Sequence, residues 1–190
     1  MDRDTELALV QRVRAGDESA FDVVFARFNP RLFGFLARLS GRREVAEELL
    51  EETWLRFVRH AGRLDADTQL GAWLFTVARN LHVSYWRSRA LERETAASLA
   101  LWPIPSPDTP FDIAARTEFE RRLEEALAAL PVTLRESILL VAVEGMQPSE
   151  AALVCGVTAE AMRQRIRRAR LVLAERLGSS VDELRLRTGA

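Results

Sequence analysis

The sequence is short of the residues that most enzyme chemistry requires. Its 190 residues include one cysteine and two histidines. A lone cysteine excludes a disulfide within the chain, and Cys155 follows Val154 on an apolar helix face, which indicates a buried thiol rather than a reactive one. His60 and His82 lack the spacing of metal ligands, and no glycine-rich phosphate loop occurs. We therefore expect no enzyme activity, no metal and no cofactor.

Long apolar runs and excess charge are also lacking. The N-terminal stretch MDRDTELALVQRVRAG is charged and amphipathic, and no run is long enough to span a bilayer. The formal net charge is −1, all 27 basic residues are arginine, and 48% of the residues are hydrophobic, so the chain can bury a core. We expect a folded cytoplasmic protein without membrane insertion.

Prolines divide the chain. Four of its seven prolines lie in residues 102–111, WPIPSPDTPF, a density that excludes helix and favours extended backbone. The flanking sequences have helical patterns and few β-branched runs. The predicted fold is all-α, with two helical domains at 1–90 and 118–178, a proline-rich linker at 91–117 and a tail at 179–190.

The first domain shows four helical segments, predicted at 4–15, 18–39, 43–61 and 70–89. A helical wheel places Ala46, Leu49, Leu50, Thr53 and Phe57 of the third segment on a buried stripe. The opposite side combines acids with two aliphatic residues: Glu47, Glu48, Glu51, Glu52, Leu55 and Val58. Such a face suits a protein partner, since apolar anchors supply affinity and a charged rim supplies orientation. A solvated acidic face with incidental leucines fits the pattern equally well.

The fourth segment interleaves aromatic and basic side chains. Its core stripe is predicted to comprise Leu74, Val77, Ala78, Leu81 and Tyr85. A second face carries Phe75, Arg79, His82 and Trp86, residue types that bind single-stranded nucleic acid by stacking on bases and pairing with phosphates. Aromatic side chains in a small helical domain are more often core residues, which we also expect of Trp73.

The second domain contains a helix-turn-helix pattern. Predicted helices on either side of Gly156 begin at Pro148 and after Thr158, a suitable N-cap. Between Thr158 and Arg170 there are five arginines and one acid, Glu160. A helical wheel places an apolar stripe on the inner side: Met162, Ile166, Ala169 and Leu173. The outer side carries Arg163, Gln164, Arg167 and Arg168. Arg165 and Arg170 lie on the flanks, where long side chains could reach the phosphates of a nucleic acid. This layout is typical of a module that enters a DNA groove. The alternative is a solvated arginine face.

Three motifs in order resemble bacterial sigma factors of the extracytoplasmic-function type. Residues 46–56, AEELLEETWLR, are similar to the family's AEDLVQETFLR, and residues 70–80, LGAWLFTVARN, to its FRAWLFTIARN. The family's fourth region opens with Leu-Pro, as Leu130-Pro131 does here. It ends with a recognition helix such as VKSRLHRAR, to which residues 162–170, MRQRIRRAR, are similar. The resemblance covers nearly the whole chain except the linker and the tail.

The resemblance implies three binding surfaces and no chemistry. Docking on the clamp helices of the largest subunit of core RNA polymerase would use Glu48, Leu49, Glu51, Glu52, Leu55 and Val58. Reading of the melted −10 promoter element would use Asp65, Thr68, Arg79, Asn80, Trp86 and Arg87. Binding of the −35 element would use Thr158, Glu160, Arg163, Gln164, Arg167 and Arg168. An anti-sigma factor is a further implied partner, and no small-molecule substrate is implied. The alternative function is that of a stand-alone helix-turn-helix regulator of duplex DNA.

Three residues depart from the family pattern. Glu51 replaces a usual glutamine, and Pro148 stands where an acidic or polar residue is common. Glu160 occupies a position that is often glycine or another small residue, where its carboxylate could repel phosphate or accept a hydrogen bond from a cytosine amine. Base preferences of the family therefore do not transfer directly.

Overall fold

A computed structural model describes residues 3–96 and 118–178, and every regular element in these ranges is helical. The described helices fall into two compact units. The first unit contains α1 (Arg3–Arg14), α2 (Glu18–Ser40), α3 (Arg43–His60) and α4 (Leu70–Ala96). The second contains α5 (Glu118–Ala128), α6 (Val132–Ile138), α7 (Pro148–Cys155) and α8 (Ala159–Leu177). The predicted proline-rich segment at 102–111 and the tail at 179–190 lie outside the described residues.

The boundaries of the first three helices lie close to the predicted ones, and those of α2 are fixed by local capping. Asp17 is the N-cap of α2, and its side chain accepts a hydrogen bond from the backbone N of Ala20. Gly41 ends α2 with a left-handed φ of 68°, a conformation that costs glycine little. Helix α3 begins at Arg43 as predicted, and a short 3₁₀ turn, Ala61–Arg63, follows it.

Helix α4 is longer than predicted. It continues to Ala96, seven residues beyond the expected end at Arg89. The added segment, ALERETA, contains no glycine or proline and is rich in good helix formers, so nothing in the local sequence stops the helix.

Helices α2, α3 and α4 enclose the core of the first unit, and α1 packs on α2. Four of the five α3 residues predicted to be buried are buried, whereas Leu50 is half-buried. Val45 and Trp54 of α3 are buried as well. Trp73, expected in the core, is half-buried. The buried arc of α3 is wider than one stripe because both α2 and α4 pack against it.

The second unit confirms the predicted helix-turn-helix. Helix α7 carries Pro148 in its first turn, and the Glu150 carboxylate accepts a hydrogen bond from the backbone N of Gln147 at 2.8 Å. Gly156 ends α7 with φ 65°, and the Thr158 side chain caps α8 by accepting from the backbone N of Ala161. The four residues predicted to pack α8, Met162, Ile166, Ala169 and Leu173, are all buried, and so is Cys155.

Within the described residues, none of the helices combines the length and the apolar character that crossing a membrane requires.

Candidate functional site

An open groove of about 510 Å³ runs between α2 and α3. Its apolar surface includes Phe25, Leu55 and Val58, which are 40%, 43% and 57% exposed. The complete lining comprises Phe25, Asn29, Glu47, Leu50, Glu51, Trp54, Leu55, Val58 and Arg59. Large aliphatic and aromatic side chains exposed together in a concave surface are typical of a protein-binding site.

The floor of the groove is held in place by an aromatic cluster. The indole Nε1 of Trp54 donates a hydrogen bond to Oδ1 of Asn29 at 2.9 Å. The Trp54 ring centroid lies 4.9 Å from that of Phe25, and Phe21 and Phe57 stack behind them. Because Trp54 both packs and hydrogen-bonds across the two helices, it fixes the groove before any partner arrives.

The four acids on the outer face of α3, Glu47, Glu48, Glu51 and Glu52, are not equivalent. Glu47 pairs with Arg43 and Glu52 with Arg56, each at 2.8 Å and each four residues apart on the helix. Glu48 and Glu51 make no ion pair within the described part of the chain, and Glu51 lies on the groove. On this face the unpaired negative charge is therefore concentrated on two residues rather than four.

One expectation for this surface is wrong, and one part of the surface was not predicted. Leu49, assigned by resemblance to the docking face, is only 4% exposed and belongs to the core, because it lies on the side of α3 that faces the other helices. The α2 half of the groove, with Phe25 and Asn29, was not predicted. The available signal was the pair Phe21 and Phe25, whose i,i+4 spacing puts both rings on one side of α2.

The proposed stacking face of α4 is largely core. Phe75 is fully buried, with its ring 5.3 Å from that of Phe35, and His82 is 2% exposed. These two rings therefore cannot stack on bases, and the core interpretation is correct for them. Trp86 is half-buried, and its Nε1 donates a hydrogen bond to Nε2 of His82 at 2.9 Å. That bond joins Trp86 to the core.

Other residues of α4 and of the loop before it are more accessible to solvent. Asn80 and Arg87 are exposed, seven residues apart, and Arg79 and Trp86 are half-buried with the same separation. A seven-residue spacing returns to nearly the same side of a helix. In the preceding loop Asp65 is exposed and Thr68 is half-buried. The backbone N of Thr68 donates to the carbonyl of Asp65 at 3.1 Å, which forms a tight turn.

The exposed face of α8 carries the expected basic residues. Arg163, Gln164, Arg167 and Arg168 are exposed, opposite the buried stripe. Arg167 and Arg168 form no ion pair within residues 118–178, so both guanidinium groups face solvent. Arginine in this setting binds phosphate oxygens or the O6 and N7 atoms of guanine.

Glu160 modifies the first turn of this face. Its Oε2 accepts hydrogen bonds from Nε and Nη2 of Arg163 at 3.0 and 2.7 Å, and its Oε1 accepts from Nε2 of Gln164 at 3.0 Å. The bond from Gln164, followed by those from Arg163, lowers the pKa of Glu160 below its ordinary value. Glu160 therefore stays ionised and ties two of the four outward side chains together.

Arg165 does not flank the face as expected. Its Nη1 donates a hydrogen bond to Oε1 of Glu136 at 3.2 Å, and the Glu136 side chain is 2% exposed. The guanidinium group is thus turned toward α6, which removes it from the set of phosphate-binding candidates. Arg170 remains exposed.

The described residues contain no group of three or more histidine, cysteine, aspartate or glutamate side chains placed to hold a metal ion.

Comparisons with known proteins match both units. The sequence models of Sigma-70 region 2 and of Sigma-70, region 4 match residues 24–92 and 120–173. The RNA polymerase sigma factor CarQ of Myxococcus xanthus is 34% identical over 178 residues, covering 89% of this chain and 95% of CarQ. The ECF RNA polymerase sigma factor EcfG of Rhodopseudomonas palustris is 34% identical over 145 residues, covering 76% of this chain and 78% of EcfG.

Solved structures give the same result. The sigma factor RpoE from Bartonella quintana, in complex with the anti-sigma factor NepR, aligns with a TM-score of 0.68 and 27% identity over 83% of this chain and 96% of RpoE. The structure of CnrH with the cytosolic domain of CnrY aligns with a TM-score of 0.64 at 24% identity, over 89% of this chain and 94% of CnrH, which shows a shared fold.

Proposed function

The chain belongs to the extracytoplasmic-function family of RNA polymerase sigma factors, and from this membership we propose how its surfaces divide the work of initiation. As a sigma factor it binds core RNA polymerase and directs transcription from specific promoters. A stand-alone helix-turn-helix regulator is not favoured, because the match includes region 2 as well as region 4.

The groove between α2 and α3 is the proposed docking surface for the polymerase clamp helices. Leu55 and Val58 supply apolar contacts, Trp54 forms the floor, and Glu48 and Glu51 supply unpaired acids for a basic partner. This combination of a preformed apolar groove and a charged rim is the observation that carries the proposal. Glu52 takes part through its pair with Arg56 rather than as a free acid.

The loop before α4 and the exposed side of α4 are the proposed −10 surface. Asp65, Thr68 and Asn80 offer donors and acceptors for unpaired bases, and Arg79 and Arg87 offer positive charge for the strand's phosphates. Trp86 can present only the outer part of its ring, since the indole is half-buried against His82. We therefore propose that hydrogen bonds contribute more than stacking along this helix.

Helix α8 is the proposed reader of the −35 element. Thr158 lies at its N-terminus, and Arg163, Gln164, Arg167 and Arg168 lie on its outer face. In helix-turn-helix proteins the second helix of the motif lies in the major groove, with its N-terminal residues contacting base edges. Arg167 and Arg168 supply free charge, whereas Arg163 and Gln164 arrive already joined to Glu160.

The remaining assignments follow from family membership. We propose that region 2 occupies residues 1–90 and region 4 residues 118–178. The relative RpoE was solved with an anti-sigma factor, and a partner of that kind is proposed for this chain too, acting in competition with core polymerase. We also propose that the protein works in the cytoplasm and performs no catalysis itself, nucleotide addition being the polymerase's reaction.

Reconstituted transcription tests the proposal. Purified chain and core RNA polymerase are mixed with linear templates randomised around the −10 and −35 positions, and the transcribed templates are sequenced. The expected result is enrichment of two spaced motifs only when both proteins are present. Failure of the chain to associate with core polymerase, or transcription without any enriched motif, would contradict the assignment.

A further inference from the structure

Helix α1 packs against the segment that precedes α4. Helix α1 lies N-terminal to residues 24–92, the part of the chain that the region 2 model matches. Its buried face is formed by Leu9, Val10 and Val13. Besides α2, this helix contacts the 3₁₀ turn Ala61–Arg63, which begins the connection between α3 and α4. Gly62 comes close to the end of α1, where a Cβ at this position would lie 3.9 Å from the carbonyl oxygen of Arg14.

Glu6 links α1 directly to the start of α4. Its Oε1 accepts a hydrogen bond from the backbone N of Leu70 at 3.0 Å, across 64 residues of sequence. Leu70 is the first residue of α4, so this N–H is one of the donors that a helix leaves without an internal partner. A carboxylate at this position is also favoured by the positive end of the helix dipole.

The loop before α4 is therefore held at three points. The turn Ala61–Arg63 rests on α1, Leu64 is buried, and Leu70 is bound by Glu6. Between these points lie Asp65 and Thr68, which are not buried and are joined by their own backbone hydrogen bond.

We propose that Glu6 is a positioning residue for −10 recognition: its hydrogen bond to Leu70 sets the place of the loop residues Asp65 and Thr68 relative to α4. This inference rests on the proposed role of the loop and of α4 in reading the −10 element. Glu6 itself touches no DNA. Its effect is transmitted through the backbone that carries the reading side chains.

Two substitutions separate positioning from general stability. Glu6→Ala removes the acceptor. Glu6→Gln removes the negative charge but keeps an oxygen that can accept the hydrogen bond from the backbone N of Leu70. Asp4→Ala is the matched control, because Asp4 is an exposed acid in the same first turn of α1 and forms no hydrogen bond or ion pair within the described residues. Each full-length variant is assembled with core RNA polymerase and transcribes the library randomised at both promoter elements.

The expected result is selective. Glu6→Ala should bind core polymerase as the unmodified chain does and enrich the same −35 motif. Its preference at the −10 positions should fall by roughly threefold to tenfold, which is within the range for one ordinary hydrogen bond and below that for a bond to a charged group, because Glu6 acts on the DNA only through the backbone. Glu6→Gln should recover most of the preference, and Asp4→Ala should match the unmodified chain.

Other outcomes identify what failed. An unchanged −10 preference in Glu6→Ala overturns the positioning role, as does a drop in melting temperature that is accompanied by an equal loss of −10 and −35 selectivity. If the unmodified chain enriches a −35 motif and no −10 motif, the proposed function of the loop itself is wrong, and the inference about Glu6 is lost with it.

Discussion

Arg165, in the middle of the most basic helix of the chain, donates a hydrogen bond from Nη1 to the buried Oε1 of Glu136 at 3.2 Å. The pair joins α8 to α6, two helices that also pack extensively against each other. One arginine of the basic helix thus fixes the helix to its own domain, whereas Arg167 and Arg168 are exposed and form no ion pair within the described residues. Replacing Arg165 and replacing its outward neighbours should therefore have different consequences.

Arg165→Ala should destabilise the second unit. It leaves the carboxylate of Glu136 buried without this partner, and because the Arg165 side chain is 26% exposed, we expect a loss of about 2 kcal/mol, below the range for a fully buried pair. Hydrogen exchange of α6 and α8 amides should accelerate by roughly 30-fold, with exchange in α2 and α3 unchanged. Arg170→Ala, at an exposed position of α8, is the control. Unchanged protection in Arg165→Ala would show that the pair contributes nothing to stability.

Arg167→Ala and Arg168→Ala should weaken DNA binding without affecting stability. Both side chains are exposed and form no ion pair within the described second unit, so each can neutralise a phosphate. The affinity of the holoenzyme for a duplex carrying the −35 element is measured over a series of salt concentrations. Each lost phosphate contact should reduce the magnitude of the negative slope of log affinity against log salt by about 0.9. Arg176→Ala, near the C-terminal end of α8, should leave the slope unchanged. An unaltered slope in the first two variants would mean that these arginines contact bases or nothing.

Local sequence signals were sufficient for most of the fold. Thr158, Gly156 and Pro148 mark helix ends through capping and backbone preferences that act within a few residues, and the apolar stripe of α8 follows from helical periodicity alone. The fate of Arg165 could not be predicted in this way, because its partner Glu136 lies 29 residues away.

The wheel of a single helix also misjudged surfaces that depend on several helices. The helical wheel of α4 placed Phe75 and His82 away from the main apolar stripe of that helix. Both are nevertheless buried, because α2 and α3 pack around α4. The groove between α2 and α3 was only half predicted for the same reason: Leu55 and Val58 are visible in the pattern of α3, but Phe25 and Asn29 come from α2. Which helices pack together decides both cases.

Arginine substitutions in the groove should weaken polymerase association. Leu55→Arg places a charge beside the apolar floor, and Glu51→Arg reverses one of the two unpaired acids. Each should weaken binding to core RNA polymerase by about 30-fold or more, the effect typical of a central interface residue. Co-migration in size-exclusion chromatography and a fluorescence titration measure the loss. Leu91→Arg is the control, since Leu91 is a 65% exposed leucine of the same unit that does not line the groove. Undiminished binding in Leu55→Arg would place the docking surface elsewhere.

Because Asp17 caps α2, the free energy of unfolding of the first unit should fall as the pH becomes acidic. Hydrogen bonds from Arg12, Ser19 and the backbone of Ala20 lower the pKa of Asp17 from 3.8 to about 2. Because the folded-state pKa is the lower one, the stabilisation is present in full above the unfolded value and is lost as the pH falls from about 4 to 2.

Melting temperatures test this dependence. Asp17→Ala should melt below the unmodified chain by a margin that is constant above about pH 5 and narrows as the pH falls below about 4. Asp17→Asn keeps a good N-cap acceptor without the charge, so it should lose less at neutral pH. A margin that stays constant down to pH 3 would show that the charge of Asp17 has no part in it.

Glu160→Ala should loosen the first turn of α8 and alter −35 selection. With the carboxylate gone, Arg163 and Gln164 lose the bonds that hold them together, and a negative charge leaves the face that we propose to approach phosphates. Non-specific duplex binding by the holoenzyme should therefore tighten by about twofold to fivefold, while the bases selected by Arg163 and Gln164 become less sharply defined. Glu160→Gln keeps an acceptor without the charge, so its non-specific binding and its base selection should lie between those of the unmodified chain and of Glu160→Ala.

The control for this prediction is Glu175→Ala, which removes an exposed carboxylate from the C-terminal part of the same helix. It should leave base selection from a library randomised at the −35 positions unchanged. Tighter non-specific binding with unchanged selection in Glu160→Ala would mean that Glu160 acts only as a repulsive charge. Weaker binding to every −35 sequence would mean that its hydrogen bonds to Arg163 and Gln164 hold these side chains in the geometry that DNA requires, and that this ordering outweighs the repulsion.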